Sequence, residues 1–265
     1  MIENKKEFKL IHKSNPRSLL PNALTIFGVC LGLSSIKFAL DANYAMAVIV
    51  IGFAAILDTL DGRVARLVKA TSKVGKELDS LTDVISFGVA PSFIMYFWTI
   101  NEIGRIGWVI TLIYTVCCAL RLARFNLTNI DETESWKINF FEGVPSPAAA
   151  GLILLPLILN LSGMIEFQNT AIVSSIAILL TSVLMVSKVP TYSLKRILIP
   201  RHYTIFLLLG IGIYITLIIF YTFEILFLTG AIYILLIPIS YLHYKKLSKK
   251  SFAPSTKDDE TEDIL

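Results

Sequence analysis

Charge is scarce in this chain. Asp, Glu, Lys and Arg make up 17% of its 265 residues, where a soluble protein carries nearer a quarter. Apolar residues reach 55% and the mean hydropathy is +0.69. Together these exclude an ordinary soluble domain. Cysteine is scarce too. Cys30, Cys117 and Cys118 are odd in number, two of them are adjacent, and all three fall in apolar segments. They read as buried thiols acting as small apolar residues, which excludes a disulfide framework. His12, His202 and His243 each sit in basic surroundings near the ends of apolar segments. Solvated or interfacial roles fit them better than metal binding. No internal repeat is visible. Nor is a cleavable signal peptide, because residues 1–18 are polar and basic and the first apolar stretch is long enough to span a bilayer.

What is present is apolar sequence in long blocks. Eight segments stand out, at 19–40, 43–66, 79–99, 105–124, 146–163, 169–188, 203–221 and 223–242. Each is near the roughly 20 residues that cross the hydrocarbon core. The expected fold class is therefore all-α, a polytopic membrane helix bundle of about eight transmembrane helices. The expected organisation is a basic juxtamembrane segment at 1–18, a transmembrane catalytic domain at 19–247 and a disordered polar tail at 248–265. Pro91 and Pro238 fall inside predicted spans, where neighbouring helices can satisfy the carbonyls they free.

The basic residues are unevenly placed. Lys5, Lys6, Lys9, Lys13 and Arg17 precede the first span; Arg63, Arg66, Lys69, Lys73 and Lys76 lie between the second and third. Arg121, Arg124 and Lys137 follow the fourth, Lys188, Lys195, Arg196 and Arg201 the sixth, and Lys245, Lys246, Lys249, Lys250 and Lys257 the last. Only Lys37 and Arg105 fall toward the other face. The positive-inside rule then puts both termini in the cytoplasm. The net charge of +4 reads as topology and attraction to anionic lipid, not as nucleic-acid binding.

Against this background four carboxylates cluster at one junction. The run Asp58-Thr-Leu-Asp61-Gly62-Arg-Val-Ala65-Arg66 is followed by Gly75, Asp79 and Asp83. An acidic residue within a span costs about 2.5–3.5 kcal/mol on insertion scales, so such residues are functional candidates. Asp58 and Asp61 are three apart and Asp79 and Asp83 four apart, so each pair shares a helical face. Two such faces brought together form an oxygen-rich pocket for hard divalent ions. Paired metals about 3.5–4 Å apart clamp the attacking and leaving oxygens of a phosphoryl displacement. Gly62 and Ala65 leave room for a bulky anion, Arg66 offers a planar donor to phosphate, and Gly75 permits a tight turn or close contact with a flat ligand.

The spacing resembles the signature of the CDP-alcohol phosphatidyltransferases, which reads D, two residues, D-G, two residues, A-R, eight residues, G, three residues, D, three residues, D. Asp58, Asp61, Gly62, Ala65, Arg66, Gly75, Asp79 and Asp83 fill every fixed position. The resemblance implies two divalent metals per site, Mg²⁺ or Mn²⁺, held by Asp58, Asp61, Asp79 and Asp83. It implies that Asp83 is also the general base. Gly62, Ala65, Arg66, Ser72 and Gly75 would contact the CDP-lipid, with Asn22 and Thr25 from the start of the first span. For Asn22 and Thr25, helix capping is an equal alternative.

Family members differ in the acceptor alcohol. Arg121-Leu-Ala-Arg124-Phe-Asn126, the segment Phe140 to Ala150, and Met185 to Ser193 resemble the membrane-integral bacterial phosphatidylserine synthases. Val144 and Lys188 depart from that pattern. The implied reaction joins CDP-diacylglycerol and L-serine, with Arg121 or Arg124 for the serine carboxylate and Asn126 or Glu142 for its ammonium. The implied setting is the bacterial cytoplasmic (inner) membrane, among membrane lipids, with the protein a homodimer. Glycerol 3-phosphate or choline is the alternative acceptor. A cation-coupled transporter is the alternative class, since acidic residues in spans also suit ion coupling.

Overall fold

The computed structural model describes residues 19–68, 73–127, 140–165, 167–193 and 201–251. Ser72, the segment 1–18 and residues 252–265 lie outside the described residues.

The chain divides into two units. The first comprises residues 1–128 and 145–186, the second 129–144 and 187–265. The first unit holds α1 (Leu19–Leu40), α2 (Tyr44–Leu67), α3 (Lys73–Asp83), a π-helical segment (Val84–Val89), α4 (Ala90–Trp98), a short 3₁₀ turn (Ile100–Ile103), α5 (Arg105–Leu127), α6 (Ser146–Leu161) and α7 (Thr170–Val186). The second holds two short strands, β1 (Phe140–Glu142) and β2 (Pro190–Tyr192), then α8 (Thr204–Phe220) and α9 (Thr222–Ser251).

Every apolar segment expected from the sequence is a helix. Among the described residues five are long and apolar enough to cross a membrane: Leu20–Leu40, Tyr44–Leu67, Gly75–Trp98, Arg105–Leu127 and Thr222–Ser248. The other three, Ser146–Leu161, Thr170–Val186 and Thr204–Phe220, are shorter. At about 1.5 Å per residue these fall short of the roughly 30 Å core. The protein is an all-α, membrane-type helical bundle, with one minor exception. β1 and β2 pair antiparallel, with Phe140 opposite Tyr192 and Glu142 opposite Pro190.

Two boundaries differ from expectation. The third span begins at Lys73, well before 79, because the polar run Lys73–Asp83 is helical and continues through the π segment into α4. The last helix runs to Ser251, past the expected start of the tail. Its partner α8 ends at Phe220 and only Tyr221 separates the two.

Helix ends follow local chemistry. Asn43 caps α2 by accepting from the Met46 amide at 3.2 Å, which satisfies one of the orphan donors of the first turn. The core of the first unit is built where small residues let helices close in. Ala47, Ala54, Ala90, Ala149 and Ala150 are buried there beside Phe87, Ile94, Met95, Tyr114 and Ile153. The outward faces are apolar as well: Phe27, Leu33, Phe53, Val116 and Leu120 are exposed. In water such a surface would be a liability; in a bilayer it is the lipid face. Cys30 lies on that outward side, so it is exposed and not buried as expected, while Cys118 is buried.

The π segment follows Asp83 directly. The amide of Ala90 bonds to the carbonyl of Ile85, five residues back. One residue later comes Pro91, which has no N–H to give to Phe87, four residues back. The hydroxyl of Tyr114, wholly buried on α5, donates to the Phe87 carbonyl at 2.9 Å instead. A neighbouring helix thus supplies the donor the proline lacks. α1 and α5 both approach the segment closely. A Cβ on Gly32 would stand 2.9 Å from the Cα of Ser86, and one on Gly88 would stand 3.2 Å from the Cβ of Cys118. Ser86 donates its hydroxyl to the Gly28 carbonyl at 3.3 Å. The helix that carries Asp79 and Asp83 is therefore held from two sides.

Candidate active site

The last turns of α2 and the run of α3 bring their acidic residues together. α2 presents Asp58, Asp61, Gly62, Ala65 and Arg66; α3 presents Gly75, Asp79 and Asp83. Asp58, Asp61 and Asp79 each bring one carboxylate oxygen to a common point, and these atoms all lie within 4.8 Å of one another. Oxygens around a divalent ion at about 2.0–2.1 Å sit about 3 Å apart when adjacent and about 4.2 Å when opposite. The cluster therefore has the size and donor chemistry of a hard-cation site. Asp83 stands next to it, its carboxyl against that of Asp58. Four carboxylates this close repel one another unless positive charge is placed among them.

Two of the four acids, Asp61 and Asp83, are held by neighbouring hydroxyls. Asp61 is only 4% exposed. The hydroxyl of Thr25, on α1, lies 2.7 Å from Asp61 Oδ2 and 3.0 Å from the Pro21 carbonyl. Its single proton goes to the nearer, charged acceptor. Asp83 Oδ2 accepts from the Ser146 hydroxyl at 3.1 Å, and among the described residues Asp83 Oδ1 is buried without an N–H or O–H donor. A buried acceptor of that kind fits a site completed by a ligand.

The remaining expected residues separate into groups. Gly62 is exposed, and a Cβ there would meet nothing within 4 Å, so the space above it is open. Arg66 is exposed and donates its Nε to the Gly62 carbonyl at 3.1 Å. Ala65 is half-buried on the same helix. Gly75 lies inside the first turn of α3, so it makes no tight turn. Asn22 is half-buried in the first turn of α1. Ser72 lies outside the described residues.

Arg121 and Arg124, one turn apart on α5, do different things. Arg121 is buried and its Nη1 lies 3.4 Å from Ser146 Oγ, so it belongs to the Asp83 neighbourhood. Arg124 donates Nη1 to the Val186 carbonyl at 2.8 Å, at the C-terminus of α7. There a cation meets orphan carbonyls and the negative end of the helix dipole. Asn126 donates its amide to Ser80 Oγ at 2.9 Å, tying the end of α5 to α3. Glu142 is exposed in β1, in the second unit.

Ser146 was not singled out as a site residue from the sequence. The one available signal was its place in Pro145-Ser146-Pro147, where two prolines point to a helix start and distract from the hydroxyl between them.

Comparison with known proteins gives a consistent result. The model of the CDP-alcohol phosphatidyltransferase family matches residues 18–187. A Mycobacterium leprae protein named CDP-diacylglycerol–serine O-phosphatidyltransferase is 40% identical over 198 residues, covering 72% of this chain and 66% of that protein. The Helicobacter pylori (strain 26695) protein of that name is 42% identical over 184 residues, covering 69% and 76%. The Bacillus subtilis one is 35% identical over 177 residues, covering 67% and 92%. The chain's match thus spans about two thirds of the mycobacterial protein and nearly all of the Bacillus one. α8 and α9 lie beyond the family match.

Proposed function

The chain belongs to the CDP-alcohol phosphatidyltransferase family, and from that premise we propose that it transfers the phosphatidyl group of CDP-diacylglycerol to L-serine, giving phosphatidylserine and CMP. The observation that carries the chemistry is the convergence of Asp58, Asp61 and Asp79 beside the acceptor atom of Asp83. The relatives' shared name supports the substrate pair.

The acidic cluster suits Mg²⁺ or Mn²⁺, two per site, because carboxylate oxygens are hard donors. When bound, such ions neutralise the pyrophosphate and the charge that grows on the leaving CMP oxygen. The protein's own groups do the rest. The open face over Gly62 and Ala65 admits the pyrophosphate, and Arg66 donates to its oxygens. Asp83 takes the proton from the serine hydroxyl as that oxygen attacks the lipid-side phosphorus. One P–O bond forms, the P–O bond to the bridging oxygen breaks, and CMP leaves with that oxygen. General-base assistance of this kind contributes about 10²–10⁴-fold.

For the acceptor, Arg121 is the better carboxylate partner of the two arginines, because it lies beside Ser146 and Asp83 while Arg124 is engaged with α7. Asn126 and Glu142 remain the candidates for the serine ammonium, and Asn22, Ser72 and Gly75 for the nucleotide. The setting we infer is the bacterial cytoplasmic membrane, with both termini and the acidic site facing the cytoplasm. The basic residues flanking the spans support that orientation. A homodimer among membrane lipids completes the proposal.

The test is CMP release by purified protein in detergent, with CDP-diacylglycerol and Mg²⁺ or Mn²⁺. Serine, glycerol 3-phosphate and choline are offered separately. Release that requires serine and disappears in Asp83→Asn is the expected result. Release with a different alcohol would keep the family and overturn the substrate.

A further inference from the structure

Serine at the start of a helix ordinarily caps it, its oxygen taking a backbone N–H of the first turn. Ser146 does not. Pro145 holds the cap position of α6, and no side chain makes a capping bond there. The Ser146 hydroxyl is turned toward α3 instead and donates to Asp83 Oδ2 at 3.1 Å across 63 positions of sequence. It is 2% exposed, so water does not compete for it. On its other side stands Arg121 Nη1 at 3.4 Å.

The order of donors in this row is fixed by chemistry. A guanidinium only donates, and an ionised carboxylate only accepts. With Arg121 on one side, the lone pairs of Ser146 face the cation and its one proton points to Asp83. That leaves Asp83 with Oδ2 bonded to Ser146 and Oδ1 buried without a donor among the described residues. We propose that Ser146 is a positioning residue for the transfer reaction: it occupies Oδ2 of Asp83 and so leaves Oδ1 as the atom that receives the acceptor's proton. This rests on the reading of Asp83 as general base.

A residue with this role contributes to turnover more than to substrate binding. Removing such an outer hydrogen bond typically costs about 10–100-fold. Ser146→Ala is expected to lower kcat by that factor at saturating metal, with the KM values for CDP-diacylglycerol and serine changed less than about twofold. Ser146→Thr, which keeps a hydroxyl, is expected to recover most of the loss, and both variants should keep the thermal midpoint of the parent in detergent. The variants are measured beside Asp83→Asn. If Asp83→Asn is inactive and Ser146→Ala turns over like the parent, the positioning role is wrong and the general-base reading survives. If Asp83→Asn is active, the general-base reading itself fails. If excess Mn²⁺ restores Ser146→Ala to the parental kcat, the serine acts on metal binding, and the proposal is overturned in favour of that role. A lowered midpoint with no recovery in Ser146→Thr would make the residue merely structural, which also overturns it.

Discussion

Thr25 offers the most quantitative test of how the acidic cluster is held. Its hydroxyl is the donor to Asp61 Oδ2 at 2.7 Å, within the range expected when the acceptor is charged. Asp61 is 4% exposed, so water has little access to replace a lost donor. Thr25→Val removes the hydroxyl and keeps the shape. A hydrogen bond to a charged group is worth about 1.5–3 kcal/mol, and about 1.4 kcal/mol corresponds to a factor of ten. Free of that bond, Asp61 can rotate away from Asp58 and Asp79. Metal affinity should then fall about 10–100-fold, the range seen when outer partners of metal ligands are removed. Free Mn²⁺ measured by electron paramagnetic resonance during titration of the solubilised protein reads this directly, without turnover. The metal dependence of CMP release should shift in parallel, and Thr25→Ser should behave like the parent. Parental Mn²⁺ affinity in Thr25→Val would refute the claim that α1 orients the cluster.

Other substitutions separate further parts of the argument. Asp83→Asn should reduce CMP release about 10²–10⁴-fold, the range of general-base assistance, while CDP-diacylglycerol binding measured by a filter or fluorescence method changes little. Arg121→Ala should raise the KM for serine at least tenfold. Arg124→Ala should leave that KM alone and lower the thermal midpoint, because its bond is to the Val186 carbonyl. The reverse pattern would exchange their roles. Gly32→Ala puts a carbon 2.9 Å from the Ser86 Cα, where no rotamer relieves the clash. Overpacking of this kind costs about 1–3 kcal/mol, so a midpoint equal to the parent's would show that α1 can move off the π segment.

The parts legible in the sequence share one property: they depend on spacing within a short stretch. Among the described residues all eight apolar runs are helical, the third as α3, the π segment and α4 in succession, and the facing of Asp58 with Asp61 and of Asp79 with Asp83 followed from helical periodicity. What escaped depends on contacts between distant stretches or on departures from regular geometry. The Ser146–Asp83 bond joins residues 63 apart, and nothing in the neighbourhood of either names the other. The division of labour between Arg121 and Arg124 is likewise invisible, since both are basic residues closing one span. The polar start of α3 carries no apolar signal to mark it as helix. β1 and β2 are three residues each, too short for alternation to show. The π segment, finally, is apolar like α4, which follows it, so nothing in its residue types sets it apart from ordinary helix.

That segment gives the gene a particular vulnerability. A π turn holds an extra residue relative to an α-helix, so a single-codon deletion within Val84–Val89 has somewhere to go: the rod can relax into continuous α-helix and still cross the membrane. Each residue of an α-helix accounts for about 100° of rotation. Asp79 and Asp83 would therefore swing by about that angle relative to α4, away from Asp58 and Asp61. Elsewhere in the bundle a lost codon threatens expression. Here it is expected to yield a stably inserted, abundant and inert protein, the kind of allele that a screen for protein level would pass and only a screen for lipid product would catch.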